Sequence, residues 1–216
     1  MYTLVFDTTA GGTIIGLYKD KMRLAKVEKI MEFGQAEELA SDVAEILKEH
    51  KLEFKDIALL GVGNGPGSFT GVRAGLAFAR GLALGNPELK ITGVSAFEVY
   101  ARMFCESDRA AYNAVIIETK REDFYFQLFD EKLNKLTEPN ACIREDIVKR
   151  LKNHQTSFIG DGVERFLSVS SGLQIKQVEL SQIMDVDALF EVTYQKYLQK
   201  TLDFPKPLYI RGQGLV

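Results

Sequence analysis

No tryptophan occurs among the 216 residues, and only two cysteines, two histidines and five prolines do. Cys105 and Cys142 are too few for a disulfide framework and too far apart for a clustered metal or redox motif. Each reads as a small buried hydrophobe in a chain kept in a reducing cytoplasm. His50 closes a helical pattern and His154 lies in a polar stretch, so no pair has the i, i+4 spacing that sets two imidazoles on one helix face for zinc. Both read as surface residues, and no metal site is expected. No apolar run approaches the ~20 residues that a bilayer span needs. The start, Met1-Tyr2-Thr3-Leu4-Val5-Phe6-Asp7, lacks the basic region of a signal peptide and meets a carboxylate early. A cytoplasmic chain with no membrane contact follows as the expectation. An excess of basic charge is also missing. Lys and Arg number 27 against 30 Asp and Glu, a net charge of -3, and no stretch concentrates the positive residues that track a phosphate backbone. That argues against strong nucleic-acid binding by this chain alone.

What is present is an ordinary globular composition, 46% hydrophobic and 26% charged, which excludes disordered and low-complexity classes. Leu4 and Phe6, Ile14 and Leu17, and Leu24 and Val27 lie in short apolar runs cut by Ala10-Gly11-Gly12 and Lys19-Asp20-Lys21, the pattern of a three-stranded antiparallel meander. Ala36, Leu39, Ala40, Val43, Ile46 and Leu47 then form the apolar stripe of a helix between Gly34 and His50, with Glu38, Asp42, Glu45 and Glu49 opposite. A buried strand over Ile57–Val62, a glycine-rich turn, a small-residue helix to about Leu84, a strand near Leu89–Val94 and a helix opening at Ser95 complete a βββαβαβα half. The second half restarts this order. Ala114–Ile117 and Phe124–Phe129 read as paired strands and Lys132–Thr137 as the third. Ile143–Leu151, Ser157–Ile159, Gly162–Val169, Gln174–Leu180 and Val186–Gln199 then alternate between helix and strand. With no linker composition between the halves, two subdomains are expected, 1–105 and 106–216, meeting near Phe104–Tyr112.

Three turns could carry chemistry. Gly63-Asn64-Gly65-Pro66-Gly67-Ser68-Phe69-Thr70-Gly71 follows a buried strand and opens a helix. Its glycines permit positive φ and expose successive N–H groups, and Ser68 or Thr70 can cap the helix. Such a turn either holds an anion or simply launches the helix. It has no Gly-Lys-Ser/Thr ending, and Thr70 stands where the third Rossmann glycine would fall. Asp7-Thr8-Thr9 offers a carboxylate and two hydroxyls for a phosphate or a metal-bound water, or else a local Asx turn. The counterpart in the second half, Glu118-Thr119-Lys120-Arg121, lacks the glycines that would cradle a phosphate well. Gly160-Asp161-Gly162 is a third candidate, or only a helix entry. The nucleotide- or anion-binding candidates are therefore Asp7, Thr8, Thr9, Gly65, Gly67, Ser68 and Thr70.

Gly71, Gly75 and Ala79 recur four apart within the second helix, where each glycine costs ~1 kcal/mol relative to alanine. Bare backbone on one face admits close approach by a neighbour, either internal or from a partner chain. Arg73 and Arg80 share a face as snorkelling surface residues or as charges for an ion pair or phosphate.

These residues carry a resemblance to the TsaB (YeaZ) family of tRNA threonylcarbamoyladenosine biosynthesis. It is densest from Asp56 to Val94, around Gly65-Pro66-Gly67-Ser68-Phe69-Thr70-Gly71-Val72-Arg73, and extends to Phe6-Asp7-Thr8-Thr9, Glu118–Tyr125, Gly160-Asp161-Gly162, Asp187-Ala188 and Pro207-Leu208-Tyr209-Ile210-Arg211. Gly34-Gln35 departs from the His-Ser pair that many relatives carry there. The resemblance implies a duplicated actin-like α/β fold of the hexokinase type, with two similar βββαβα subdomains. It further implies a non-catalytic scaffold or activator that pairs with its metal-binding paralogue TsaD, works with the ATPase TsaE, and meets tRNA only through the complex. No cofactor would be tightly bound, and ATP or ADP with magnesium would act at the interface shared with TsaD. The helices near Gln35–His50 and Ser68–Leu84 would form the partner surface, or a homodimer, through Leu39, Val43, Gly71, Arg73, Ala74, Gly75 and Phe78. The rival readings are an actin-like small-molecule kinase, which needs glycine-bearing phosphate hairpins in both halves, and a peptidase, which needs a nucleophile–base pair or a metal.

Overall fold

The computed structural model describes residues 1–10, 12–30, 35–169, 172–180 and 183–210. Within them the chain divides into two compact units, Met1–Val99 with Ile183–Leu208, and Tyr100–Gln182 with Tyr209–Val216.

The first unit opens with β1 (Tyr2–Asp7), β2 (Gly12–Lys19) and β3 (Met22–Ile30), followed by α1 (Gln35–Glu49), β4 (Ile57–Gly63), α2 (Phe69–Gly85) and β5 (Lys90–Val94). Short turns make the first three strands antiparallel, while the helical crossovers bring β4 and β5 in parallel, so the sheet order is β3-β2-β1-β4-β5. The register sets Leu4 opposite Leu17 and Phe6 opposite Ile15. These side chains meet Leu39, Val43 and Ile46 of α1 and Val72, Leu76 and Ala79 of α2 in one core. Gly34 of the Gly34-Gln35 departure lies outside the described residues, as does Arg211 of the C-terminal motif.

The other face of this sheet is covered by the last helix, α6 (Val186–Leu198). It is capped by the Asp185 side chain, which accepts a 2.9 Å hydrogen bond from Ala188 N–H. Two strand glycines let it sit on bare backbone. A Cβ on Gly61 would lie 2.0 Å from Thr193 Oγ1, and one on Gly16 would lie 2.7 Å from Val186 Cγ2. Tyr18 stacks on Phe190 with ring centroids 3.9 Å apart and donates a 2.7 Å hydrogen bond to Asp187, which also pairs with Arg23. The sequence boundary at 105/106 assigned this helix to the second half. It belongs to the first because the apolar surface and the glycine seats that fit it are on the first sheet.

The second unit holds β6 (Tyr112–Glu118), β7 (Asp123–Phe129), β8 (Asn140–Ile143), α4 (Arg144–Leu151), β9 (Gln155–Ile159), α5 (Val163–Leu167) and β10 (Gln174–Glu179), and α3 (Ala96–Met103) spans the point where the chain passes from one unit to the other. Its sheet order, β10-β9-β6-β7-β8, repeats the first when read from β8: third, second, first, fourth, fifth. Ala114, Ile116, Phe124, Phe126 and Phe158 pack there under Ile147, Leu151, Val163 and Phe166. Two expectations are corrected. Lys132–Thr137 is not the third strand, because Asp130 Oδ1 accepts from Lys132 N–H and Asn134 N–H at 2.8 Å and Leu133 takes φ 64°, which makes it a turn. The strand comes later, as β8. Cys142 is buried as expected, but Cys105, at the residue before a short 3-10 turn that follows α3, is exposed.

Candidate functional site

Asp7 is the last residue of β1, and its carboxylate turns back on its own chain. Oδ1 accepts from Thr9 N–H at 2.7 Å and Ala10 N–H at 3.2 Å, and Oδ2 accepts from the Thr9 hydroxyl at 2.8 Å. This is an Asx turn closed on three donors. Burial pushes the Asp7 pKa up to about 6 against the pull of the Thr9 and Ala10 hydrogen bonds. The side chain lies against Gly63 at the end of β4, where an added Cβ would fall 1.7 Å from Oδ2.

The glycine-rich loop wraps this turn. Gly65 takes φ 98°, a conformation open to glycine. Ser68 N–H donates to Thr9 C=O at 2.8 Å, and the Ser68 hydroxyl caps α2 by accepting from Gly71 N–H at 3.2 Å. The Thr8 hydroxyl donates to Gly71 C=O at 2.8 Å. Cβ atoms added at Gly67, Gly71 and Gly75 would lie 2.2 Å from Thr9 O, 1.8 Å from Thr8 O and 2.8 Å from Thr8 Oγ1. Of the anion candidates, Asp7, Thr8, Thr9, Gly65 and Gly67 thus form one tightly packed internal assembly, while Ser68 and Thr70 are exposed. The C-terminal segment fastens the loop from the other side. Leu208 N–H donates to Asn64 C=O at 2.8 Å, and Asn64 Nδ2 donates to Lys206 C=O at 3.0 Å.

The expected partner residues divide in the same way. Leu39 and Val43 lie in the core, Gly71 and Gly75 are buried against Thr8, Ala74 and Phe78 are half-buried, and only Arg73 is exposed. The four-residue glycine step therefore serves packing within this chain, which corrects its assignment to a partner. A second four-residue series, which the sequence reading lacks, lies on the outer face of α2: Arg73, Ala77, Gly81 and Gly85 are all exposed, and among the described residues no atom outside the helix's own backbone lies within 4 Å of a Cβ added at Gly81 or Gly85. Arg73 lies over the Phe69 ring at 3.6 Å, and Arg80 donates to Pro205 C=O at 3.2 Å. Leu84 is 86% exposed on this helix. The neighbouring helix α1 exposes Ala40, Ser41 and Ala44.

In the second unit the equivalent turn is closed by Glu118, the last residue of β6. Its carboxylate accepts from Lys120 N–H at 2.6 Å and from Arg165 Nε and Nη2 at 2.6 and 2.7 Å. Burial alone would raise its pKa, but the Arg165 guanidinium and Lys120 N–H overcome this and hold it below the ordinary carboxylate range. Asp161, in the Gly160–Gly162 turn, accepts from Glu118 N–H at 2.9 Å, and burial pushes its pKa up to about 6. Both histidines have structural neighbours: His50 Nδ1 meets Ile46 O at 2.9 Å, and the His154 ring stacks on Tyr112 at 4.1 Å. Among the described residues no three His, Cys, Asp or Glu side chains gather to hold a metal, and no helix is long and apolar enough to cross a membrane.

Two sheets of one strand order, each with its first hairpin closed by the carboxylate that ends its first strand, define a duplicated α/β protein of the actin type. A family model described as TsaD, tRNA N6-adenosine threonylcarbamoyltransferase, matches residues 34–201, and the chain belongs to this family, in its TsaB (YeaZ) branch of tRNA threonylcarbamoyladenosine biosynthesis. It is 27% identical over 223 residues to the tRNA threonylcarbamoyladenosine biosynthesis protein TsaB of Escherichia coli (strain K12), across 98% of this chain and 95% of that one. It is 25% identical over 228 residues to the TsaB of Haemophilus influenzae, across 97% and 93%. Among solved structures it is similar in fold to YeaZ from Pseudomonas aeruginosa, with a TM-score of 0.82 at 17% identity over 96% of this chain and 99% of that one.

Proposed function

We propose that the chain is a non-catalytic scaffold that activates the threonylcarbamoyl-transferring paralogue TsaD in the cytoplasm, in concert with TsaE, and meets tRNA only through that complex. The observation that carries this reading is the division of α2 into two faces. The inner face locks onto the Asp7–Thr9 turn through Gly71 C=O, which accepts from the Thr8 hydroxyl, while within that turn the Thr9 hydroxyl and N–H donate to the Asp7 carboxylate, so the groups that could have served a ligand are already engaged. The outer face, with Ala77 and Gly81, and the exposed Ala40 and Ala44 of the neighbouring α1 offer small residues over which a partner's helices can approach closely. The same face would support a homodimer when TsaD is absent. Nucleotide, as ATP or ADP with magnesium, is held weakly by this chain alone and acts where TsaD completes the site. Asp7 repels phosphate unless a cation intervenes, and no Walker lysine is present.

Reconstitution tests the proposal: threonylcarbamoyladenosine formation on tRNA is measured with TsaD, TsaE, an activated threonylcarbamoyl donor and ATP, with and without this chain. Product should depend on its addition. Undiminished product in its absence overturns the reading.

A further inference from the structure

The two units close their first hairpins in the same way. Asp7 and Glu118 each end the first strand of a sheet, and each accepts the N–H two residues on, from Thr9 at 2.7 Å and from Lys120 at 2.6 Å. A hairpin whose N–H groups converge on one point is a place where an oxyanion can sit. In the second unit that place also has a guanidinium. Arg165 lies over the Phe124 ring at 3.8 Å and donates to Asp123 C=O at 2.9 Å, so its plane is fixed from below and from one side. Its Nε and Nη2 then present a fork to the two carboxylate oxygens of Glu118, with Lys120 N–H as a third donor on Oε1.

We infer that this turn is an oxyanion cradle which the chain fills with its own Glu118 side chain, so that a small free oxyanion such as inorganic phosphate enters only when that carboxylate is removed. The donors match those used for phosphate and carboxylate recognition, and the carboxylate supplies the two oxygens such a ligand would bring. Solvent reaches the turn itself, where Glu118 is half-buried and Lys120 exposed. A cleft of about 450 Å³ adjoins Arg165, with Arg144 on its wall as a second guanidinium. Arg144 uses Nε and Nη2 on Phe166 C=O and Val169 C=O. Glu122 and Glu145 also line the cleft, which favours a compact anion over a polyanion by like-charge repulsion. The inference rests on the second unit alone and stands whether or not the chain acts with TsaD.

The test uses the full chain. Wild type, Glu118→Ala, Glu118→Ser and the double variant Glu118→Ala/Arg165→Ala are titrated with inorganic phosphate at constant ionic strength, following the Lys120 amide and Arg165 Nε–H resonances. Glu118→Ala should show saturable shifts on both groups and bind at least about tenfold more tightly than wild type, and the double variant should lose the binding. If Glu118→Ala fails to fold, Glu118→Ser carries the comparison, because the serine is too short to reach the Arg165 fork and leaves the cradle open. Equal phosphate affinity in wild type, or binding that persists without Arg165, overturns the inference. So does the lack of any saturable shift in a folded Glu118 variant.

Discussion

The Thr8 hydroxyl donates a 2.8 Å hydrogen bond to the Gly71 carbonyl across a sequence separation of 63 residues. That contact joins the first hairpin of the chain to the first turn of α2, and it requires a bare Cα on the helix, since a Cβ on Gly71 would lie 1.8 Å from the Thr8 carbonyl oxygen. The glycine-rich loop, the Asp7 turn and the start of α2 therefore stand or fall as one assembly.

Paired glycine substitutions separate this packing role from helix propensity. Gly71→Ala should destabilise the chain by roughly 1–3 kcal/mol, because the obstructing atom is backbone and cannot step aside. Gly81→Ala, whose new methyl meets no atom within 4 Å among the described residues outside its own helix backbone, should instead stabilise it by about 0.5–1 kcal/mol through helix propensity. Urea unfolding of both variants checks the pair. Equal losses at the two positions would show that α2 is not seated on Thr8 as described.

The outer face of α2 predicts a binding defect without a folding defect. Ala77→Glu and Gly81→Glu place a charge on the exposed series and should weaken association with TsaD by at least about tenfold, with the melting temperature nearly unchanged. Co-elution and calorimetric titration measure it. A substitution at Gly75 does not probe this face, because Gly75 is buried against Thr8 and Phe6 and a larger residue there would disrupt the fold first. Full affinity in both glutamate variants would move the interface off this face.

Asp7 has a stability signature in pH. Its pKa of about 6 in the folded chain lies above the ordinary 3.8, so the folded chain holds this proton more tightly than the unfolded one. The stability contributed by protonated Asp7 is fully present below about pH 3.8 and is lost as pH rises through about 6. Asp7→Asn keeps an acceptor for Thr9 N–H and Ala10 N–H and stays neutral throughout. Its stability relative to wild type should therefore rise between pH 4 and pH 7, on the order of 1–3 kcal/mol. Asp161, also raised to about 6, continues to contribute the same slope in both proteins and cancels from the difference. A flat difference over that range would show Asp7 to be ionised without penalty.

The docking of α6 depends on Asp187, which accepts from the Tyr18 hydroxyl at 2.7 Å and pairs with Arg23. Asp187→Ala should cost about 1–2 kcal/mol, and Tyr18→Phe, which keeps the stack on Phe190, about 1 kcal/mol. Both should speed hydrogen exchange in α6 more than in α4. In the double variant the losses should fall short of additive, since the two substitutions remove one shared bond. Strict additivity would mean that the tyrosine and the aspartate act independently.

Much of this protein is set by local pattern. The periods of Leu4–Phe6 and of Leu39–Leu47, the turn residues at Asp20, and the glycine-rich run from Gly63 to Gly71 fix the strands and helices of the first sheet and their order, because alternation, helical stripe and turn chemistry act over a few residues, whereas in the second sheet the third strand falls at β8 and not at Lys132–Thr137. The doubled order of elements follows from the same cues, and so do the two hairpin turns, whereas the choice of Ser68 over Thr70 as the cap of α2 is the structure's. What the sequence left open is decided by distance in space. Whether Asp7 faces a ligand or its own Thr9, whether Gly71 and Gly75 meet a partner or Thr8, and whether α6 belongs to the half in which it is encoded all depend on groups far apart along the chain. A carboxylate, a bare helix face or an amphipathic helix can be satisfied by several neighbours. Only the packed sheet, with Gly16, Gly61 and Gly63 clearing room at particular points, selects which neighbour it is.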